Sequence, residues 1–333
     1  MVNLRTAMGR ALSPGIRSAA IRVERWATAH AGLRPIVPMA RRMLLPRHLR
    51  RPEEVDIEVT SSCDADCIMC PRKSMRRSPG PMPFPLFRAV VDEAVSLGVR
   101  DLVLNGYGEI ATLRNSAEYI GYIRRRSASI RILVNTNGMR LTRELAAAFI
   151  EHGVDIVNVT IDGATAETYE AIRKHLKLDV VEENVRRLIA MRNALGRKRP
   201  YIMTHMICMP ENEHEIDAFI KKWTGVSDHV GGAGLYSRGG SVKGRPQTPD
   251  WSLPCFLLWR QMPILSDGSV AMCCDDWDGA MSPGNVADGG IRAIWTSPRM
   301  QELRRIQLEG RAVTNPLCAG CQTPRRPPWW FTS

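Results

Sequence analysis

The chain has 333 residues, 44% of them hydrophobic, with nine cysteines and a formal charge of +12. That length allows one large α/β domain with an appendage, or two domains. No apolar run approaches the ~20 residues of a membrane-spanning helix, and the early stretch, broken by Arg5, Arg10, Arg17 and Arg22, lacks the apolar centre of an export signal. A membrane location is therefore not expected, and clustered thiols without an export signal point to the cytoplasm and to metal or catalytic use rather than disulfides.

Residues 1–50 form a basic arm with ten arginines and one acid, Glu24, and carry +9 of the charge. The remaining body is close to neutral, so charge does not make it a nucleic-acid-binding surface. The arm is either a solvated extension or an attractor for an acidic partner, a phosphorylated substrate or an anionic membrane surface. After it, "VDIEVT" (55–60) alternates and is β-branched, which predicts a strand. A cysteine loop follows at once. Helix is expected over 84–98, 114–127, 142–153, 165–195 and 212–225, and strand over 101–109, 130–138, 154–163, 200–209 and 228–236. Six alternations of strand and helix predict parallel βαβ units curved into a partial (β/α)6 barrel, with chemistry at the C-terminal strand ends. From Tyr236 the chain turns rich in Gly, Pro and Ser, as in a linker over 237–254. A hairpin around Asp267-Gly268 and a helix over 297–309 follow, so the expected domains are 51–236 and 255–333.

"SSCDADCIMCPR" places Cys63, Cys67 and Cys70 in a C-x3-C-x2-C pattern. Structural zinc prefers four ligands, usually as two C-x2-C pairs, and here three thiols share one loop with no histidine near. A [4Fe–4S] cluster fits better, because three protein ligands leave the fourth iron open for an exchangeable group. Five more cysteines, Cys255, Cys273, Cys274, Cys318 and Cys321, lie beyond the linker. Cys208 stands alone in an apolar run and reads as buried core.

The three-cysteine loop after the first strand resembles the signature of the radical S-adenosylmethionine (SAM) superfamily, and the likeness runs over about residues 52–325. "GYGEI" (106–110), "NTNG" (135–138) and "VTIDGATAETYEAIR" (159–173) are similar to further segments of that family, in the same order. The resemblance implies that Cys63, Cys67 and Cys70 hold a [4Fe–4S] cluster whose open iron chelates SAM. It implies that Gly108 and Glu109 contact the methionine part, that Asn137 and Asp162 contact ribose or amino acid, and that Arg173 pairs with the SAM carboxylate. Asn137 has the alternative of shaping the turn before Gly138, and Arg173 that of a helix-surface charge. Two positions depart from the family: Ile110 where proline is common, and Met69 where an aromatic is frequent.

"LPCFLLWRQMPILSDGSVAMCCDD", "GNVADGGIRAIWTSPRMQELR" and "CAGC" resemble the SPASM auxiliary-cluster domain in its shortened twitch form. The resemblance implies a second [4Fe–4S] cluster on Cys255, Cys273, Cys318 and Cys321, with Cys274 spare; of the adjacent pair Cys273 and Cys274 only one can serve, the reverse choice is the alternative, and zinc is the alternative occupant. The cysteine spacings are similar to those of the aminocyclitol (2-deoxy-scyllo-inosamine) dehydrogenase type. There Arg238 and Asp275 take the places of substrate-contacting residues, and Asp275 would accept a hydroxyl proton; their alternatives are a surface arginine and a solvated loop acid. The expected function is a radical SAM oxidoreductase acting on a small polar metabolite, a sugar, aminocyclitol or nucleoside, with a reductant such as flavodoxin or ferredoxin as partner. Epimerisation, C–C bond formation, peptide maturation and a non-enzymatic iron–sulfur or zinc scaffold are the competing readings.

Overall fold

The computed structural model describes residues 50–235 and 254–321. The basic arm, the 236–253 stretch with Arg238, and residues 322–333 lie outside the described residues. Strand β1 (Glu54–Ile57) runs into the cysteine loop, where β2 (Asp66–Cys67) is a two-residue strand. Helix α1 (Phe84–Ser96), β3 (Asp101–Leu104), α2 (Ser116–Arg126), β4 (Arg131–Thr136), α3 (Arg143–Glu151) and β5 (Ile156–Thr160) follow. Next come α4 (Ala166–Ile172), β6 (Arg173–Lys174), α5 (Leu178–Ala194), β7 (Tyr201–Cys208), α6 (Ile216–Trp223) and β8 (His229–Gly234). The C-terminal part holds α7 (Leu257–Arg260), β9 (Gln261–Ile264), β10 (Ser269–Val270), β11 (Gly284–Asn285), α8 (Val286–Trp295), α9 (Pro298–Leu308) and α10 (Pro316–Ala319).

Strands β1, β3, β4, β5, β7 and β8 lie side by side in that order and are all parallel. These are the six strands expected from the alternating pattern. Their outward faces pack under the helices: Val55 and Ile57 of β1 are fully buried, as are Ile132 and Val157 of the neighbouring strands. Helix α1 meets them with Phe87, Val90, Val91 and Ala94, the i, i+3, i+4, i+7 stripe of an amphipathic helix. Each such apolar side chain contributes about 1.5–3 kcal/mol on burial. Thr142, Thr165 and Ser297 cap α3, α4 and α9 by accepting hydrogen bonds from backbone N–H groups three residues on.

Three features depart from the sequence reading. Strand β9 pairs in parallel with β1, Glu54 opposite Gln261 and Ile57 opposite Ile264, so the C-terminal part extends the barrel sheet itself. The expected hairpin is the turn from β9 to β10, with Gly268 at φ +84°. The helices expected in 165–195 are α4 and α5; between them Arg173–Lys174 pairs antiparallel with Asp66–Cys67, and His175 sits in the left-handed region at φ +72°. The chain leaves the helix there to give the strand that carries Cys67 a partner. Helix α8 was hidden by its Gly289-Gly290 pair, which reads as a breaker. Its second half is capped from outside, since the Glu93 carboxylate of α1 accepts from Ile291 N–H (2.6 Å) and Arg292 N–H (3.0 Å). A Cβ on Gly290 would lie 2.3 Å from that carboxylate. Cys208 is half-buried rather than fully buried, and shares the outward parity of Ile202, Thr204 and Met206 on β7.

Candidate active site

Cys63, Cys67 and Cys70 all border one cavity of about 240 Å³ at the C-terminal ends of the strands. Their loop is held locally. Thr60 and Ser61 side chains donate to Gly80 C=O, Ser61 Oγ accepts from Gly80 N–H at 2.9 Å, and Cys70 N–H donates to Cys67 C=O at 3.1 Å. Met69 is buried beside them. Burial pushes the Cys63 thiol up to about 12, helped by the nearby Glu109 and Asp64 carboxylates, and raises Cys67 despite the opposing charge of Arg173. Thiols in such a setting stay protonated unless a metal stabilises the thiolates, so this donor set fits an iron–sulfur cluster.

Gly108 packs the Gly106–Ile110 loop onto the cysteine loop: a Cβ there would lie 2.0 Å from Thr60 O. The approach lets Glu109 N–H donate to Ser62 C=O at 2.8 Å. The Glu109 carboxylate is buried and accepts from Asn137 N–H (2.7 Å), Thr136 Oγ1 (2.8 Å) and Ala111 N–H (3.1 Å). Burial raises it to about 6, against the pull of those donors. Asn137 does shape its turn, Oδ1 accepting from Met139 N–H at 2.9 Å, and its amide also donates to Asp64 Oδ1 at 2.8 Å. Arg173 is buried, so it is not a helix-surface charge. Desolvation works against its cation, but Asp162 and Cys67 outweigh it and the net shift is upward. Gly108, Glu109, Asn137 and Arg173 line the cavity. Asp162 stands behind the wall, fully buried, accepting from Arg173 Nε and from Ile207 N–H, each at 2.8 Å.

The second cysteine group is assembled from three segments. Gln307 of α9 accepts from Cys255 N–H at 3.1 Å and donates to Cys318 Sγ at 3.4 Å. Cys273 is close enough to Cys255 for the two thiols to perturb each other, and burial raises it strongly. Asn315 caps α10 by accepting from Leu317 and Cys318 N–H, and its amide donates to Met272 Sδ at 3.4 Å. Cys321 N–H donates to Cys318 C=O at 3.1 Å. Among the described residues no three His, Cys, Asp or Glu side chains converge on one metal ion.

Asp275 does not lie on the cavity wall; it is buried with its Oδ2 3.4 Å from Cys321 Sγ. Its neighbour Asp276 is on the wall, its carboxylate accepting from Met272 N–H (2.9 Å) and Met281 N–H (3.2 Å). Asp276 N–H closes a turn on Cys273 C=O at 3.1 Å. Cys273 and Cys274 both border the same cavity as the three-cysteine loop.

Sequence reasoning missed the residues that join the two cysteine groups. Glu58, 2% exposed, forms a bidentate pair with Arg77 at 2.6 and 2.7 Å and accepts from Tyr107 N–H and Ser266 N–H. Arg77 Nε donates to Trp277 C=O at 2.9 Å, and Tyr107 OH donates to Cys274 C=O at 2.7 Å. The available signal was the acids at 54, 56 and 58, which alternate on a strand expected to be covered on both faces.

Residues 57–222 match the radical SAM superfamily, and residues 255–322 match the SPASM iron–sulfur cluster-binding domain. The S-adenosyl-L-methionine-dependent 2-deoxy-scyllo-inosamine dehydrogenase of Niallia circulans is 21% identical over 269 residues, 80% of this chain and 91% of that protein. The crystal structure of BtrN in complex with AdoMet and 2-DOIA matches with a TM-score of 0.58 at 19% identity, covering 81% of this chain and 93% of that one. Streptococcus suis SuiB bound to its precursor peptide SuiA matches with a TM-score of 0.65 at 12% identity, covering 89% and 74%. At such identities the structural likeness speaks for the fold. With an open three-cysteine loop at the head of a parallel partial barrel, and both of its halves matched, the chain belongs to the radical SAM superfamily and is a radical SAM enzyme that uses SAM and [4Fe–4S] clusters and carries a C-terminal SPASM domain.

Proposed function

We propose that this enzyme oxidises a secondary alcohol of a small polar metabolite, a sugar, aminocyclitol or nucleoside. The observation that carries the reading is the one cavity that Cys63, Cys67 and Cys70 share with Cys273. When bound, SAM and its reduced cluster supply a 5′-deoxyadenosyl radical, which removes a hydrogen atom from carbon. Cys63, Cys67 and Cys70 would hold that cluster, Glu109 and Arg173 would orient the charged ends of SAM, and Gly108 and Asn137 would shape its bed. Cys255, Cys273, Cys318 and Cys321 would hold the second cluster. Four protein thiolates leave no open corner, which suits an electron acceptor and not a substrate ligand. Alcohol oxidation needs such an acceptor, since one electron remains after the hydrogen atom leaves. The hydroxyl proton needs a base, and Asp276 is the acid of the pair 275–276 that reaches the cavity; burial raises its carboxyl, which strengthens it in that role. Asp275, beside Cys321, would act on the cluster's surroundings. Arg238 remains a candidate substrate contact, and a flavodoxin or ferredoxin would deliver the priming electron. The name of the Niallia circulans relative, a dehydrogenase, agrees with this chemistry.

One observation favours a second reading. Cys274 borders the cavity, where a thiol would return a hydrogen atom to a carbon radical and make the enzyme an epimerase. The test is anaerobic turnover with deuterated substrate. Oxidation yields one ketone per 5′-deoxyadenosine, and Cys274→Ser retains it; loss of product in Cys274→Ser with hydrogen abstraction intact would replace the dehydrogenase by the epimerase. Turnover of a peptide but of no small metabolite would instead favour a maturase.

A further inference from the structure

The inward side chains of β1 are Glu54 and Asp56, with Glu58 just past its end, because Val55 and Ile57 take the outward face. Glu58 is matched by Arg77, and Glu54 by Arg260 at 3.4 Å. Asp56 lies between them, 8% exposed, on the wall of the cavity. Its Oδ1 is buried and has no hydrogen-bond partner among the described residues. The strands place it opposite Val103 on β3 and Pro263 on β9, so its lateral neighbours offer no side-chain donor. Four carboxyl groups line the cavity: Asp56, Glu58, Glu109 and Asp276. The lining cation among the described residues is Arg173, which Asp162 already engages. Glu109 and Asp276 are satisfied by the donors named above, whereas Asp56 meets the Glu54 carboxyl on one side, feels Arg260 only as a neighbouring charge, and keeps its Oδ1 unmatched.

We propose that Asp56 anchors an ammonium group of the substrate, which makes the substrate class an amine-bearing polyol. This rests on the small-metabolite reading and narrows it. A buried carboxyl with an orphaned oxygen is costly unless a partner arrives, and a charged donor satisfies it better than a hydroxyl. Burial first, and the adjacent Glu54 carboxyl second, push Asp56 well above the ordinary carboxylate range. An ammonium beside it favours the charged carboxylate, releases any proton the carboxyl holds to solvent and leaves an ion pair. Asn105, Asn135 and Thr160, which border the same cavity, supply hydroxyl partners for the rest of a polyol.

The test uses the anaerobically loaded enzyme with SAM present and two matched pairs of probes, scyllo-inosamine against scyllo-inositol and D-glucosamine against D-glucose, with affinity read by titration calorimetry. In at least one pair the amine should bind on the order of tenfold or more tighter than its hydroxyl counterpart, the size of a charged hydrogen bond. In Asp56→Asn that preference should shrink to about threefold or less, with iron content and SAM affinity unchanged. Equal binding of amine and hydroxyl by the wild type, no measurable binding of either amine, or a preference that survives in Asp56→Asn would overturn the proposal. Asp56→Ser serves if the asparagine variant fails to load iron, and failure of both to load would make Asp56 a structural residue and equally end the proposal. Ketone formation is scored separately. An amine preference with redox-neutral products would remove the dehydrogenase reading and leave the anchor standing, and ketone formation without an amine preference would do the reverse.

Discussion

Cys63, Cys67 and Cys70 sit on one loop between β1 and α1, whereas Cys255, Cys273, Cys318 and Cys321 ride on a loop, a hairpin and a short helix that meet only once the chain has folded. The first group is held by bonds within its own loop and to Gly80, and by the close seat of Gly108 against Thr60. The second depends on distant side chains: Gln307 spans Cys255 and Cys318, Asn315 reaches Met272, and Arg304 ties α9 to Leu258 C=O and Trp295 C=O. A ligand set closed over a short loop needs little ordering of the chain, whereas one closed over long loops must wait for packing to offset the entropy. The two groups should therefore respond differently to damage.

The largest effect is expected from Cys63, Cys67 and Cys70 replaced together by Ala. Formation of 5′-deoxyadenosine should fall below detection, at least about 10³-fold, because the anchor of SAM is gone. Iron should fall from about eight to about four per chain, as each [4Fe–4S] cluster contributes four. Iron analysis and product chromatography check both, and loss of all iron would show that the two sites do not load independently.

Arg77→Met probes what the groups share. It leaves Glu58 buried and without its guanidinium, which should cost about 3–5 kcal/mol in denaturant unfolding. Because Arg77 also holds Trp277 C=O, iron should be lost from both sites. Adding Glu58→Gln should recover part of the stability; an additive double variant would deny the pair its role.

Gln307→Leu should separate the groups again, at a cost of about 1–3 kcal/mol for the donor and acceptor left buried. Iron at the C-terminal site should fall while SAM cleavage persists, and equal loss from both sites would break the contrast. The smallest effect is expected from Cys274→Ser, with ketone formation within about twofold of wild type, the behaviour of a side chain that makes no transition-state contact. Parallel rates of ketone and 5′-deoxyadenosine formation measure it.

The barrel was legible because its strands and helices announce themselves locally. The parallel strands follow β-branched runs, and Phe87, Val90, Val91 and Ala94 mark one helix face. The three-cysteine loop was legible for the same reason, since its spacing alone brings three thiols together on one short stretch of chain. Helix α8 was not, because its cap comes from Glu93, some two hundred residues earlier. That Asp276 and not Asp275 borders the cavity was not legible either, because the local turn decides where two adjacent acids go, and composition cannot distinguish them.

By itself the amino-acid sequence determined the period-2 and helical patterns, and hence the parallel strands, together with the placing of three thiols, Cys63, Cys67 and Cys70, on one loop. These depend on backbone geometry over a few residues. Tertiary structure alone decided that β9 joins β1, that Glu58 meets Arg77, that Cys273 and Cys274 border one cavity with the first cysteine loop, and that Asp56 stands there with an oxygen unmatched. Those outcomes depend on which side chains share a dry interior after distant strands have paired, and neither burial nor direction is a property of a residue taken with its sequence neighbours alone.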